Sequence, residues 1–357
     1  MLDRIPDDSL PLLIKLSEAF GPSSREEEVG KIIRSEFESI GLPVMEDVFG
    51  TIFVTIGGVG TSPAVLVSAH QDEVGFVIRS SGVLPSFAPV GGLNPFDVIG
   101  AEVVVRTSDG DLTGVIASEK KAKDIKAQLI ASQLSLDDLY IDFGWSEYTP
   151  RDLVKKVRVG LMGVFKTPCR IERNLAFGKS FDDRAGVFAL LLLARALKEM
   201  KLQTPVILAA TVQEEIGKRG IEALLQRLKV PIKLGISIDT SSCTFSRARR
   251  EDYSKLGKGV SISTYDASLA TSPSMVDAAA EIAEEFKIPY HFAYTSGAYE
   301  AGACMLKLGI LSLPLGIPAR YIHSPVSIIN LDDVKHTVNF VLALIQSLPE
   351  ERIKDRG

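Results

Sequence analysis

The chain is short of cysteine, of basic excess and of long apolar runs, and each shortage excludes something. Its three cysteines, Cys169, Cys243 and Cys304, are odd in number, far apart and never in a Cys-x-x-Cys pair. That spacing argues against a disulfide framework or a cysteine-rich zinc site and leaves buried thiols. The longest apolar stretch, VFALLLLARAL at 187–197, is interrupted by Arg195. It falls short of the ~20 residues needed to cross a bilayer, so no membrane span is expected. With 40 Lys and Arg against 45 Asp and Glu, the net charge is −5, which argues against a nucleic-acid partner. The basic runs SRARRE and EKKAKDIK are interleaved with acids and read as solvated faces. The opening residues hold early acids and no apolar block ending in small residues, so no secretion signal is read and the cytoplasm is the expected compartment.

What is present is the composition of a globular protein, 46% hydrophobic and 24% charged. A length of 357 residues predicts a large core with a second domain. Residues 23–41 predict an amphipathic helix, with Ser24 and Glu27 at capping-box spacing and Val29, Ile32, Ile33, Phe37 and Ile40 on one face. AVLVSAH at 64–70 is apolar on both faces, as a strand inside a parallel sheet should be. From 76 to 165 short β-type runs alternate with Gly, Pro and Asn turns, Ser108-Asp109-Gly110 among them, with only a weak helix signal at 121–133. Asp142 stands there among apolar residues and reads as a local structural bond. After 166 strands and helices alternate to the end. The expected architecture is therefore α/β: a mainly parallel sheet with helices on both faces, built from 1–75 and 166–357, plus an inserted small β-rich domain at 76–165.

Sites in open parallel sheets form at the carboxyl ends of the strands. Marking those ends gives His70 and Asp72 after AVLVSAH, Glu214 and Glu215 after PVILAA, and Asp239 closing LGISID. His323 follows the loop after GILSLPLG, and Asp182 precedes a helix on the same side. Each has an ordinary structural explanation alone. Together they gather two of only four histidines and several carboxylates at one sheet edge. Nitrogen and carboxylate donors without thiolate suit zinc, cobalt or manganese. Five such donors exceed what one catalytic zinc needs, so two ions with a bridging carboxylate use the surplus. Side chains alternate at a strand end, so one glutamate of the pair would bind while its neighbour moves protons.

The motifs HQDEVGF, FDDRAG, VQEEIGKRG, SIDT and RYIHSP, in this order over nearly the whole chain, resemble the glutamyl-aminopeptidase-like metallopeptidases of tetrahedral, TET type. Some relatives of that family carry endoglucanase labels. The resemblance implies an aminopeptidase acting on short peptides with two divalent ions, zinc first and cobalt or manganese next. It implies that His70 and Asp239 hold one ion, that Glu215 and His323 hold the other, and that Asp182 bridges them. Glu214 would be the general base and Asp72 would orient His70. It also implies a β-rich dimerisation domain at the insertion and a twelve-subunit hollow tetrahedron. Two departures bear on substrate preference. Where the family has Gly-Gly-Thr-Asp-Ala-Gly, this chain has Gly297 to Gly302 with Tyr299 and Glu300, and Ser327 replaces the glutamate after His-Ser-Pro. Glu300 is expected either to meet a peptide ammonium group or to lie on the surface. Two other readings are a catalytically silent assembly or peptide-binding shell and, from the labels on relatives, a glycoside hydrolase, which would need two metal-free carboxylates.

Overall fold

Apolar, β-branched runs set the architecture by forming strands that must be covered on both faces. The computed structural model describes residues 1–58, 62–118, 126–127, 134–243 and 254–347. In chain order the strands are β1 (Met45–Glu46), β2 (Ile52–Ile56), β3 (Ala64–His70), β4 (Gly75–Ile78), β5 (Phe87–Val90), β6 (Glu102–Thr107), β7 (Gly110–Ala117), β8 (Tyr140–Asp142) and β9 (Met162–Phe165). They continue with β10 (Arg170–Glu172), β11 (Leu175–Gly178), β12 (Val206–Thr211), β13 (Ile232–Ser242), β14 (Val260–Asp266), β15 (Leu269–Ala270), β16 (Tyr290–Tyr294), β17 (Leu311–Arg320) and β18 (Ser327–Asn330).

The large sheet runs β1-β2-β12-β3-β13-β17-β18-β11-β10, with β14 on β17 carrying β15 and β16. Its centre, β12, β3, β13 and β17, is parallel as expected. Antiparallel neighbours flank it, β2 against β12 and both β14 and β18 against β17. Alternation divides β3 between two cores. Val65, Val67 and Ala69 pack with the helices Leu10–Glu18, Glu27–Ser39, Phe181–Lys198, Pro273–Glu285 and Leu331–Ser347. Ala64 and Leu66 meet Ile221, Leu224 and Ala303, from the helices Arg219–Arg227 and Ala301–Leu308 on the opposite face. All seven residues of β3 are buried, which is the state its composition demands.

The second sheet, β5-β4-β9-β6-β7-β8, is antiparallel throughout and has a core of its own around Phe76, Phe87, Val103 and Ile141. Ser108 and Asp109 form the tip of the β6–β7 hairpin, where Thr107 pairs with Gly110. The Asp142 carboxylate accepts the Gly144 N–H at 2.7 Å, a local bond of the kind its setting suggests. All three cysteines are free, with Cys169 and Cys304 buried and Cys243 partly so. Among the described residues no helix is long and apolar enough to cross a membrane.

The expected capping box at Ser24 and Glu27 does not form. Ser24 lies in the left-handed region at φ 72°, and the helix beginning at Glu27 has no side-chain cap. Glu26 takes the acceptor role instead, receiving the N–H of Ser24 at 2.9 Å and of Gln213 at 3.2 Å. A tertiary contact to the loop after β12 thus overrides the local cap. The helix signal at 121–133 falls, except for 126–127, outside the described residues, as do SRARRE and all but the last residue of EKKAKDIK.

Candidate metal centre

The parallel strands bring their carboxyl ends to one edge. Register pairs Thr211 of β12 with His70 of β3, so Glu214 and Glu215 leave the sheet beside the histidine. Asp239 is not the last residue of its strand, as the sequence suggests, because β13 continues to Ser242. Its pairing with β3 stops at Ser237 opposite Ser68, and Asp239 lies just beyond, where the sheet opens. Asp182 and Asp183 keep non-helical backbone at the start of Phe181–Lys198. His323, at φ 58°, sits in the turn after β17.

These positions converge. Asp182 Oδ1 stands 3.1 Å from His70 Nε2, and its Oδ2 3.1 Å from His323 Nε2. Glu215 Oε1 lies 3.3 Å from His323 Nε2, and Asp239 Oδ1 lies 3.8 Å from His70 Nε2. The far side of the His70 ring faces Asp72, with Nδ1 3.4 Å from Oδ1. Asp72 is fully buried; it accepts Ser23 Oγ at 2.7 Å and the N–H groups of Glu214 and Glu215 at 2.9 and 3.2 Å. One carboxylate therefore holds the glutamate loop and stands beside the imidazole. Two sets, His70 with Asp182 and Glu215, and His70 with Asp183 and Asp239, bring donor atoms within 4.8 Å of one another.

Charge in this cluster is unbalanced towards the acids. Burial would raise the Asp182 carboxyl, but hydrogen bonds to His323 and His70 hold it well below the ordinary carboxylate range. Burial pushes Glu214 up to about 8, with His70 opposing and Glu215 and Glu300 adding to the rise. Burial also raises Glu215 and, with Asp182 and Asp183 beside it, carries Asp239 well up. Desolvation works against the His323 imidazolium, yet bonds to Asp182 and Glu215 raise it to about 11. Glu214, Glu215 and Asp239 are pushed up while Asp182 is held down between His70 and His323, the pattern of closely crowded buried carboxylates.

Several participants were not legible in the sequence. Asp183 is fully buried and accepts the N–H of His70 at 3.2 Å and of Gly186 at 3.0 Å. The Asp182-Asp183 doublet was visible, but not this division between them. Gly91 and Gly92, after β5 of the second sheet, lie against the cluster. A Cβ on Gly91 would come 3.1 Å from Glu215 Oε2, and one on Gly92 3.1 Å from His323 Nδ1. The turn after β5, in a stretch where the sequence shows no site residue, thus touches the centre.

The departures are also placed. Tyr299 lines the cavity beside the cluster. Glu300 is 2% exposed and accepts Thr211 Oγ1 at 2.6 Å, so the surface alternative is overturned. Ser327 is buried and donates to the Tyr321 carbonyl at 3.0 Å, bracing the turn that carries His323.

The M42 glutamyl aminopeptidase profile matches residues 50–340. The chain belongs to the M42 glutamyl aminopeptidase family. As a member it is an aminopeptidase, a hydrolase. It is 27% identical over 347 residues to the glutamyl aminopeptidase of Lactococcus lactis subsp. cremoris, covering 95% of this chain and 96% of that one. A TET aminopeptidase structure from the archaeon Thaumarchaeota archaeon SCGC AB-539-E09 superposes with TM-score 0.89 at 29% identity, covering 97% and 98% of the two chains. The Pyrococcus horikoshii TET1 peptidase, described as assembling into a tetrahedron or a large octahedral shell, superposes with TM-score 0.83 at 28% identity, covering 94% and 99%.

Proposed function

We propose that this M42 aminopeptidase removes N-terminal residues from short peptides at a two-cation centre. The observation that carries the proposal is Asp182, whose two carboxylate oxygens face two different imidazoles at 3.1 Å each. A carboxylate so placed has the form of a bridge between neighbouring ions. On this reading His70 and Asp239 hold one ion, Glu215 and His323 the other, and Asp182 both. Asp183 is left out because its oxygens already accept backbone N–H groups.

The residues fit divalent cations on their own chemistry. The donors are nitrogen and carboxylate oxygen, which suit zinc, cobalt or manganese. Glu215 Oε1 is buried and meets His323 Nε2 at 3.3 Å without good hydrogen-bond geometry, a poorly satisfied state that a cation relieves. When bound, such ions supply Lewis acidity, drawing the pKa of water towards neutrality and polarising the peptide carbonyl. Glu214 lines the cavity. Its carboxylate takes the proton of the attacking water and returns it to the leaving amine nitrogen. Cations beside it favour the charged form it needs for this. Asp72 holds the His70 ring through Nδ1, so that Nε2 points into the centre.

The proposal extends to self-association in the cytoplasm, with the second sheet as the associating unit. The assembly described for the Pyrococcus horikoshii relative supports that role. Glycoside hydrolysis gains no support, because the acids of the centre pack against imidazoles rather than standing free. The test is protein loaded in turn with zinc, cobalt and manganese, assayed on peptides with free and acetylated N-termini. Residues should be released only from free termini. Absence of release with every ion would sink the reading and favour a silent shell.

A further inference from the structure

The two imidazoles of the centre are supported from different parts of the molecule. His70 turns Nδ1 to the Asp72 carboxylate at 3.4 Å, within the catalytic sheet. His323 turns Nδ1 to Gly92, where an added Cβ would come within 3.1 Å of it. Gly91 stands against Glu215 in the same way: a Cβ there would lie 3.1 Å from Oε2 and 3.3 Å from the Glu215 Cβ. Two successive residues of the second sheet's chain thus lie against Glu215 and His323, the pair assigned to one ion.

Strand register brings them there. β4 starts just after Glu73, which is anchored by Lys179 Nζ at 2.7 Å and by two bonds with Gly21, at 3.0 and 3.2 Å. β5 returns antiparallel and ends with Val90 opposite Gly75. Gly91 is therefore carried back level with Val74. Its φ of 80° and the 2.8 Å that a Cβ would leave to Val74 Cγ1 both require glycine. Gly92 carries no such backbone demand. Apart from its chain neighbours, only His323 limits its size.

The His323 ring has little room to retreat. Its backbone lies at φ 58°, and its turn is tied by Ser324 and Ser327, which donate to the Tyr321 carbonyl at 2.6 and 3.0 Å. A push on the ring from Gly92 therefore moves Nε2 relative to Asp182 and Glu215, because close-packed surroundings transmit strain.

We propose that Gly91 and Gly92 are positioning residues that hold Glu215 and His323 in place for one cation, so that the second sheet sets the affinity of that position and not of the other. The inference rests on the two-cation reading.

The experiment loads the full chain with cobalt and withdraws the metal with increasing chelator, following ions per chain by elemental analysis and by visible absorption. Wild type, Gly92→Ala and His323→Ala are compared. Loaded wild type should hold two ions. Gly92→Ala should release one of them at roughly 10- to 100-fold less chelator, the usual cost of disturbing what supports a ligand, and keep the other as wild type does. The absorption of its remaining ion should match that of His323→Ala. If Gly92→Ala does not fold, hydrogen exchange on wild type decides: amides of residues 87–92 should slow on binding of one of the two ions and not of the other. Equal weakening of both ions or of neither, or exchange that answers to both or to none, overturns the inference and leaves the aminopeptidase reading standing. A loaded wild type holding one ion or none overturns the two-cation reading, and the inference with it.

Discussion

His70 and His323 share one carboxylate: Asp182 turns Oδ1 to the Nε2 of the first and Oδ2 to the Nε2 of the second, each at 3.1 Å. Removing it should therefore disturb two cation positions at once, whereas removing His323 disturbs one. Elemental analysis after dialysis should find about two ions per chain in the wild type, fewer than one in Asp182→Ala, and about one in His323→Ala. Equal losses in the two variants would contradict the bridge.

Glu214 and Glu215 are adjacent, and their roles are separable by the same analysis. Glu215 Oε1 faces His323 at 3.3 Å, while Glu214 has no imidazole within ion-pairing distance among the described contacts. Glu214→Gln should keep its ions and lose ~10²- to 10⁴-fold in kcat, the usual worth of a positioned acid-base group. Loss of an ion in this variant would mean that the two roles are exchanged.

Next to Asp72, Glu73 is buried with Lys179, whose Nζ lies 2.7 Å from both of its carboxylate oxygens and 3.1 Å from the Ala19 carbonyl. Arg184 stands 3.5 Å from the same carboxylate. Lys179→Met leaves that buried charge with the more distant Arg184 and the Gly21 N–H, which it accepts at 3.2 Å. Urea unfolding should show a loss of about 3 kcal/mol, at the low end for breaking a buried pair because Arg184 remains. An unchanged stability would show that Arg184 and the Gly21 N–H satisfy Glu73 without Lys179.

Glu26 gives the fold a pH dependence away from the cation ligands. Burial, with Asp72 adding to it, raises its carboxyl from 4.5 to about 7, against the N–H groups of Ser24 and Gln213 that favour the charge. A raised carboxyl binds its proton more tightly in the folded state, so its contribution is complete below pH 4.5 and is lost as pH rises through 7. Glu26→Gln cannot titrate. Between pH 5 and pH 8 the wild type should lose roughly 1 to 3 kcal/mol relative to the variant in denaturant unfolding. Parallel curves would place the Glu26 carboxyl at its ordinary value.

Much of this molecule is written in local pattern. AVLVSAH announces a central parallel strand because a strand covered on both faces needs apolar residues on both. The cluster of His70, Glu215, Asp239 and His323 follows from that, since parallel strands bring their carboxyl ends to a common edge. Pattern also separates the antiparallel insertion, whose runs are short and divided by turns.

Pattern does not carry contacts between distant segments. Nothing near Ser24 tells that Glu26 will reach Gln213 and displace the capping box. Nothing in Gly91-Gly92 tells that the insertion returns to lie against Glu215 and His323. The burial of Glu300 under Thr211 and the locking of Tyr299 on Thr240 depend on how the helix Ala301–Leu308 docks on the sheet. The sequence by itself determined the layers, the edge and the chemical type of the donors, because these follow from periodicity and residue type. Which oxygen faces which imidazole, and how much room remains beside them, was decided only by tertiary packing, where a few tenths of an ångström separate contact from exclusion.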